Sequence, residues 1–273
     1  MTALGNRRWW LTGLVVVWIA GLVGLTVWSV GHDRATVPEQ RDIDLAVTDL
    51  ERAAGVVYAT ASGADRAVVL GELQLTRDCR ITPVRSGVAA ARAVTVYVGD
   101  SKAAEAVEAI AAELPVEWAP EQSRTRAGTR VSLHADAGNF VGIDLSGPAV
   151  ATTLTLRLTT GCRPLDGAAP VGGDATASPA PALLNTVVSA LDANVGEPVV
   201  RTVACPSGGV AGSWTVPDLS MPDDLPGRLR QAGGEIVHAD DAVRAYRKAG
   251  DSIVVLPQGE QLSVTVSTSC RGA

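Results

Sequence analysis

Two stretches decide how this chain is read: LTLRLTTGC, Leu154–Cys162, and LSVTVSTSC, Leu262–Cys270. They share a length, a final cysteine and a period of two. Leu154, Leu156 and Leu158 point one way and Thr155, Arg157 and Thr159 the other; Leu262, Val264 and Val266 alternate with Ser263, Thr265 and Ser267. That alternation predicts antiparallel strands with one face on a core and one in water. Chain ends fray unless something holds them, so a cysteine three residues before Ala273 predicts a fastening.

Aligned on these strands, the two halves match further back. AGNFVGIDL (Ala137–Leu145) faces AGDSIVVLP (Ala249–Pro257), both strand-like and both entered through Ala-Gly. A helix over Ser101–Trp118, with Ala103, Val107, Ile110 and Leu114 at helical spacing, faces one over Ser220–His238. In the latter, Pro222 suits a first helical position and Gly233 a stop. Each half also has a cysteine in a short apolar segment, Leu73–Ile81 and Val199–Ser207, followed by a second strand, Val88–Val98 and Val210–Leu219. Each opens with a helix closed by glycine, Asp42–Gly55 and Pro181–Gly196.

The expected fold class is therefore α+β: two tandem, duplicated two-layer sandwich domains with mainly antiparallel sheets. They occupy residues 42–163 and 181–273, joined by the Pro/Gly/Ala-rich linker 164–180.

Residues 9–31, WWLTGLVVVWIAGLVGLTVWSVG, carry no charge. About 20 apolar residues span a ~30 Å hydrocarbon layer. Arg7 and Arg8 precede the run, and Trp9, Trp10 and Trp28 sit near its ends, where amphipathic rings favour the interface. A cleavable signal peptide would have a shorter apolar core and a small-residue cleavage site, which WSVGHDRA does not offer. The expectation is an uncleaved single-pass plasma-membrane anchor: residues 1–8 a cytoplasmic tail, 9–31 the span, 32–41 a stalk and the rest extracytoplasmic. Eight residues inside leave no room for an output domain.

Leaving aside Arg7 and Arg8, 21 basic residues stand against 29 acidic ones, about −8. That sign opposes nucleic acid and anionic headgroups. Lysine occurs only at Lys102 and Lys248, a bias of high-GC, actinobacterial-type coding sequence. The overall pattern resembles envelope proteins of high-GC Gram-positive bacteria, which implies location only.

The four cysteines, Cys79, Cys162, Cys205 and Cys270, would lie in an oxidising compartment. Of three possible connectivities, the duplication selects Cys79–Cys162 and Cys205–Cys270. A zinc site or redox pair would need close spacing such as C-x-x-C, which is absent. No metal or cofactor is expected.

Catalytic signals are sparse. His134 and His238 both occur in His-Ala-Asp, but the alignment sets His238 opposite Trp118 and His134 near Tyr246, so the echo is accidental and both read as strand-end histidines. There is no G-x-S-x-G elbow, and the Gly-rich CPSGGVAGS lacks a phosphate-loop lysine. Asp223-Asp224 suits a helix start. Few aromatic residues remain outside the span, which weakens a glycan-binding reading.

The functional expectation is a non-enzymatic interaction or accessory subunit of the cell envelope with an envelope or membrane protein partner. The alternative is a module binding a small apolar or envelope-derived ligand between the domains. A hydrolase with a dispersed site around His134 or His238 ranks third, and the sequence names no ligand-binding residue.

Overall fold

The computed structural model describes residues 3–32, 41–82, 85–165, 179–193 and 196–270. Most of the expected stalk (33–40) and linker (166–178) lies outside the described residues. The chain divides into two units, Met1–Gln40 and Arg41–Ala273.

The first unit is helix α1, Ala3–His32. Its stretch Trp9–Trp28 has a mean hydropathy of 2.1 with no residue buried, and is long and apolar enough to cross a membrane.

The second unit has mixed α+β content in two antiparallel sheets. It opens with α2, Ile43–Ala61, capped where the Asp42 side chain accepts from the Asp44 amide. The sequence suggests a stop at Gly55, but the helix runs on to Ala61. Gly55 marks a close approach instead: a Cβ there would lie 2.1 Å from the Ala204 carbonyl oxygen.

Sheet 1 contains β1 (Ala67–Leu70), β2 (Gln74–Thr82), β3 (Arg85–Tyr97), β4 (Glu121–Arg124), β5 (Arg130–Asp136), β6 (Gly142–Pro148) and β7 (Thr153–Arg163), with α3 (Ala103–Glu113) between β3 and β4. The order is β1-β3-β7-β6-β5-β4; β2 also pairs β3, continuing along the edge that β1 begins. Sheet 2 follows α4 (Ala182–Ala190) and contains β8 (Val199–Ala204), β9 (Val210–Ser220), β10 (Glu235–Ala239), β11 (Arg244–Lys248), β12 (Asp251–Gln258) and β13 (Gln261–Ser267), with α5 (Leu225–Ala232) between β9 and β10. Its order is β10-β11-β12-β13-β9-β8, matching β4-β5-β6-β7-β3-β2 of sheet 1. Among the described residues, β1 has no counterpart in sheet 2.

Each sheet buries one face under helices. Val94, Leu156, Ile143 and Leu133 of sheet 1 share a core with Leu50 of α2 and Ile110 of α3. Trp214, Val255 and Val264 of sheet 2 share another with Leu184 and Val188 of α4 and Leu229 of α5. The second faces differ. In sheet 1, Thr155 and Arg157 are exposed as the alternation predicts. In sheet 2, Thr265 and Ser267 are buried.

What covers them is sheet 1's own edge. The amides of Val68 and Leu70 in β1 donate to Ser252 Oγ at 3.0 Å and Ser213 Oγ at 2.8 Å. Register aligns Arg247, Ser252, Ser267, Ser213 and Arg201 into one row across sheet 2. Ser213 Oγ and Ser267 Oγ are hydrogen-bonded at 2.7 Å, and Arg247 Nη1 donates to Ser252 Oγ at 2.8 Å. An edge strand presents unpaired backbone groups, and leaving one buried amide unsatisfied costs about 1–3 kcal/mol. The serine row removes that cost for β1.

Two disulfides are present, Cys79–Cys162 and Cys205–Cys270, closing separations of 83 and 65 residues. The first joins β2 to β7 within sheet 1. The second does more than close its own half, because Cys205 and Cys270 pack into the core that α2 shares with sheet 1.

Candidate functional site

The structure places the four cysteines in these two structural bonds, and there is no free cysteine among the described residues. Arg7 and Arg8 lie within α1, and Trp9, Trp10 and Trp28 are exposed on it. An apolar helix able to span a membrane, together with two disulfides, fits an oxidising, extracytoplasmic setting for the folded unit.

The two histidines of the folded unit are brought to different environments. His238, on the edge strand β10, is buried between two carboxylates. Its Nδ1 is 3.3 Å from Asp100, which follows β3, and its Nε2 is 3.0 Å from Asp240. The contact to Asp100 ties sheet 2 to sheet 1. Bonds from His238 and from the amides of Val243 and Ala242 hold the Asp240 carboxyl down at about 2. With both ring nitrogens engaged, His238 offers none to a nucleophile, as a general base must. Its geometry is that of a clasp.

His134 lies on the open face of sheet 1, with Nδ1 2.8 Å from Asp144 Oδ1 and both side chains exposed. Register places Glu121, His134, Asp144 and Arg157 in one row across β4, β5, β6 and β7. A parallel row holds Ser123, Ser132 and Ser146; Ser123 Oγ and Ser132 Oγ are 2.8 Å apart, and Arg130 Nη2 donates to Ser146 Oγ at 3.1 Å. These rows make a polar, cross-linked surface with both signs of charge.

Several depressions flank the sheets, among them one of about 570 Å³ between α2 and β8, lined by Thr48, Arg52, Val203 and Pro206. A cleft of about 720 Å³ lies where the end of α2 (Ala59, Ser62, Gly63) meets the β11–β12 turn (Ala249, Gly250) and Cys270. A groove of about 500 Å³ lies between α3 and β4, bounded by Glu105, Glu108, Gln122 and Arg124.

The chain matches no family model, no curated protein and no solved structure.

Among the described residues, no group of three or more His, Cys, Asp or Glu is placed to hold a metal ion. Sequence reasoning missed the buried polar groups that join the two sheets. Ser267 reads as solvent-facing, Ser213 and Ser252 have no face assigned from the sequence, and Tyr58 lies beyond the helix end expected at Gly55. The one available signal was that the three serines fall at like-facing positions of three strands. Glu51 and Arg92 were also missed: a part-buried ion pair fixes α2 to β3, with Arg92 Nε donating to Gly71 O at 3.1 Å.

Proposed function

We propose that this chain is a membrane-anchored, extracytoplasmic, non-enzymatic interaction or accessory subunit of a bacterial cell envelope. Its N-terminus is cytoplasmic, as Arg7 and Arg8 before the span favour. The two sheets arose by tandem duplication of one α+β unit; the repeated strand order supports this. One observation carries the functional reading: two sheets of like order have unlike second faces. Sheet 2 buries that face against β1, whereas sheet 1 keeps Glu121, His134, Asp144 and Arg157 exposed. An ordered, charged face on a disulfide-braced body anchored near a membrane suits a protein partner, since charge patterns select partners and set register.

The test is photo-crosslinking in native membranes with the full chain, comparing a probe at Arg157 with one at the exposed turn residue Glu260. A discrete protein adduct at Arg157 and not at Glu260 is expected. Adducts at neither position, or the same adducts at both, overturn the reading.

The second reading is a small apolar or envelope-derived ligand; the cleft of about 720 Å³ between the end of α2 and sheet 2, with Glu235, Arg247 and Lys248 in its lining, favours a polar, envelope-derived one. Native mass spectrometry of the full chain released from membranes decides it: a stoichiometric added mass that Ala64→Trp abolishes supports it, and a bare protein overturns it.

A further inference from the structure

We propose that the free edge of β4, with the groove between it and α3, receives an extended cationic segment of a partner protein as an added antiparallel strand. This rests on the interaction reading above and assigns it a docking mode.

Within the described residues β4 pairs only with β5, so its other edge is open. Which backbone groups it presents follows from the hydrogen-bond alternation. The Thr125 amide donates to the Arg130 carbonyl at 3.2 Å, so that pair is hydrogen-bonded. Antiparallel pairs alternate. Ser123–Ser132 and Glu121–His134 are then bonded pairs too, while Gln122–Leu133 and Arg124–Val131 are not. The amides and carbonyls of Gln122 and Arg124 therefore point away from β5, two donors and two acceptors at strand spacing.

An incoming strand that uses them places alternate side chains on the side of Gln122 and Arg124, into the groove over Ala104, Val107 and Val131. The other side chains lie beside Glu121 and Ser123. Charge selects the occupant. Glu105 and Glu108 line the groove and Glu121 flanks the edge; Arg124 is the one base of the lining, and Lys102 already meets Glu105 at 2.6 Å. Small residues toward the groove and lysine or arginine on the other side, beside Glu121, complement this pattern, with Glu105 and Glu108 adding negative potential from the groove. The shortness and charge of β4 discourage indiscriminate pairing and leave selection to these carboxylates.

The probes are fluorescein-labelled hexapeptides alternating valine with lysine, or valine with glutamate, titrated against the full chain in nanodiscs. The lysine peptide is expected to bind at least about tenfold more tightly. Gln122→Pro removes the outward amide without touching the β5 pairing, which proline permits on an edge strand, and is expected to weaken binding at least about tenfold. Saturating lysine peptide slows amide exchange at Gln122 and Arg124 in the unsubstituted chain, a readout that stands even if the proline variant fails to fold. Glu121→Lys narrows the lysine-over-glutamate preference. Equal affinity for the two peptides, no binding at about 1 mM, unaltered exchange at both amides, or full binding by a folded Gln122→Pro chain each overturns the proposal. So does a dimer that Gln122→Pro dissociates, which would make a second copy the occupant. A discrete Arg157 adduct without these effects refutes the β4 inference and leaves the interaction reading standing; absence of both refutes both.

Discussion

The Tyr58 hydroxyl donates to the Thr268 carbonyl at 2.7 Å, joining the last turn of α2 to the segment that carries Cys270. Tyr58 is fully buried, and burial is the main cause pushing its hydroxyl upward, so it stays a neutral donor. The final strand is thus held from two sides, by a disulfide to Cys205 and by a phenol from the other half of the fold.

Tyr58→Phe leaves the Thr268 carbonyl without that donor and is expected to cost about 1–3 kcal/mol. Tyr58→Ala adds a cavity and costs about 3–5 kcal/mol. Urea unfolding of the full chain in detergent measures both. Unchanged stability in the phenylalanine variant would remove this bond from the account.

Cys270→Ser opens a 65-residue separation. The chain-entropy relation assigns such a loop about 4 kcal/mol. The variant should lose much of that, and peptide mapping should find Cys205 as the one new free thiol. Mapping the unsubstituted protein should find no free thiol until reduction.

Gly55→Ala tests the helix approach by its sign. At an ordinary helix position alanine stabilises by about 0.5–1 kcal/mol. Here the added carbon would meet the Ala204 carbonyl oxygen at 2.1 Å, so α2 must move from β8. Destabilisation of about 1–3 kcal/mol is expected, read as a lower thermal midpoint; a raised midpoint contradicts the packing described.

Glu51→Gln strips the buried Arg92 guanidinium of its carboxylate. Breaking a fully buried ion pair from one side costs about 3–5 kcal/mol; the Glu51 side chain is 22% exposed, so a loss below that range is expected. The double change Glu51→Leu with Arg92→Met removes both charges and should recover most of it, which denaturant midpoints of the three variants will show.

Asp240 makes a pH prediction. Its carboxyl is held at about 2 in the fold, below the ordinary carboxylate range near 4. A depressed native value adds stability above the unfolded value, lost as pH falls through the native one. The His238 clasp should therefore weaken between about pH 4 and pH 2. Asp240 is half exposed, so the effect is small. Asp240→Asn should flatten the acid limb of stability, and an unchanged limb would show that the clasp contributes nothing.

How far the fold was legible follows from which forces act locally. The period of two in Leu154–Thr159 and Leu262–Ser267 and the helical spacing of Ala103, Val107 and Ile110 survive because burial acts on side chains at regular intervals. Glycine was less legible. A glycine at the end of a periodic run reads as a stop, yet Gly55 lies inside α2, because its reason is a carbonyl 149 positions away that no local pattern contains. The rows that cross the open face of sheet 1 were invisible for the same reason: register, not spacing along the chain, sets His134 beside Asp144 and Arg157 beyond it.

The sequence by itself determined a charge-free span of membrane length, four cysteines placed two to each half, and strands that alternate apolar with polar. Only the tertiary structure decided what the polar sides meet. Thr155 and Arg157 meet water, whereas Ser213 and Ser252 meet the backbone of β1. A hydroxyl is satisfied equally by water or by a buried amide, so serine and threonine at alternate positions mark a face that needs hydrogen bonds without saying who supplies them.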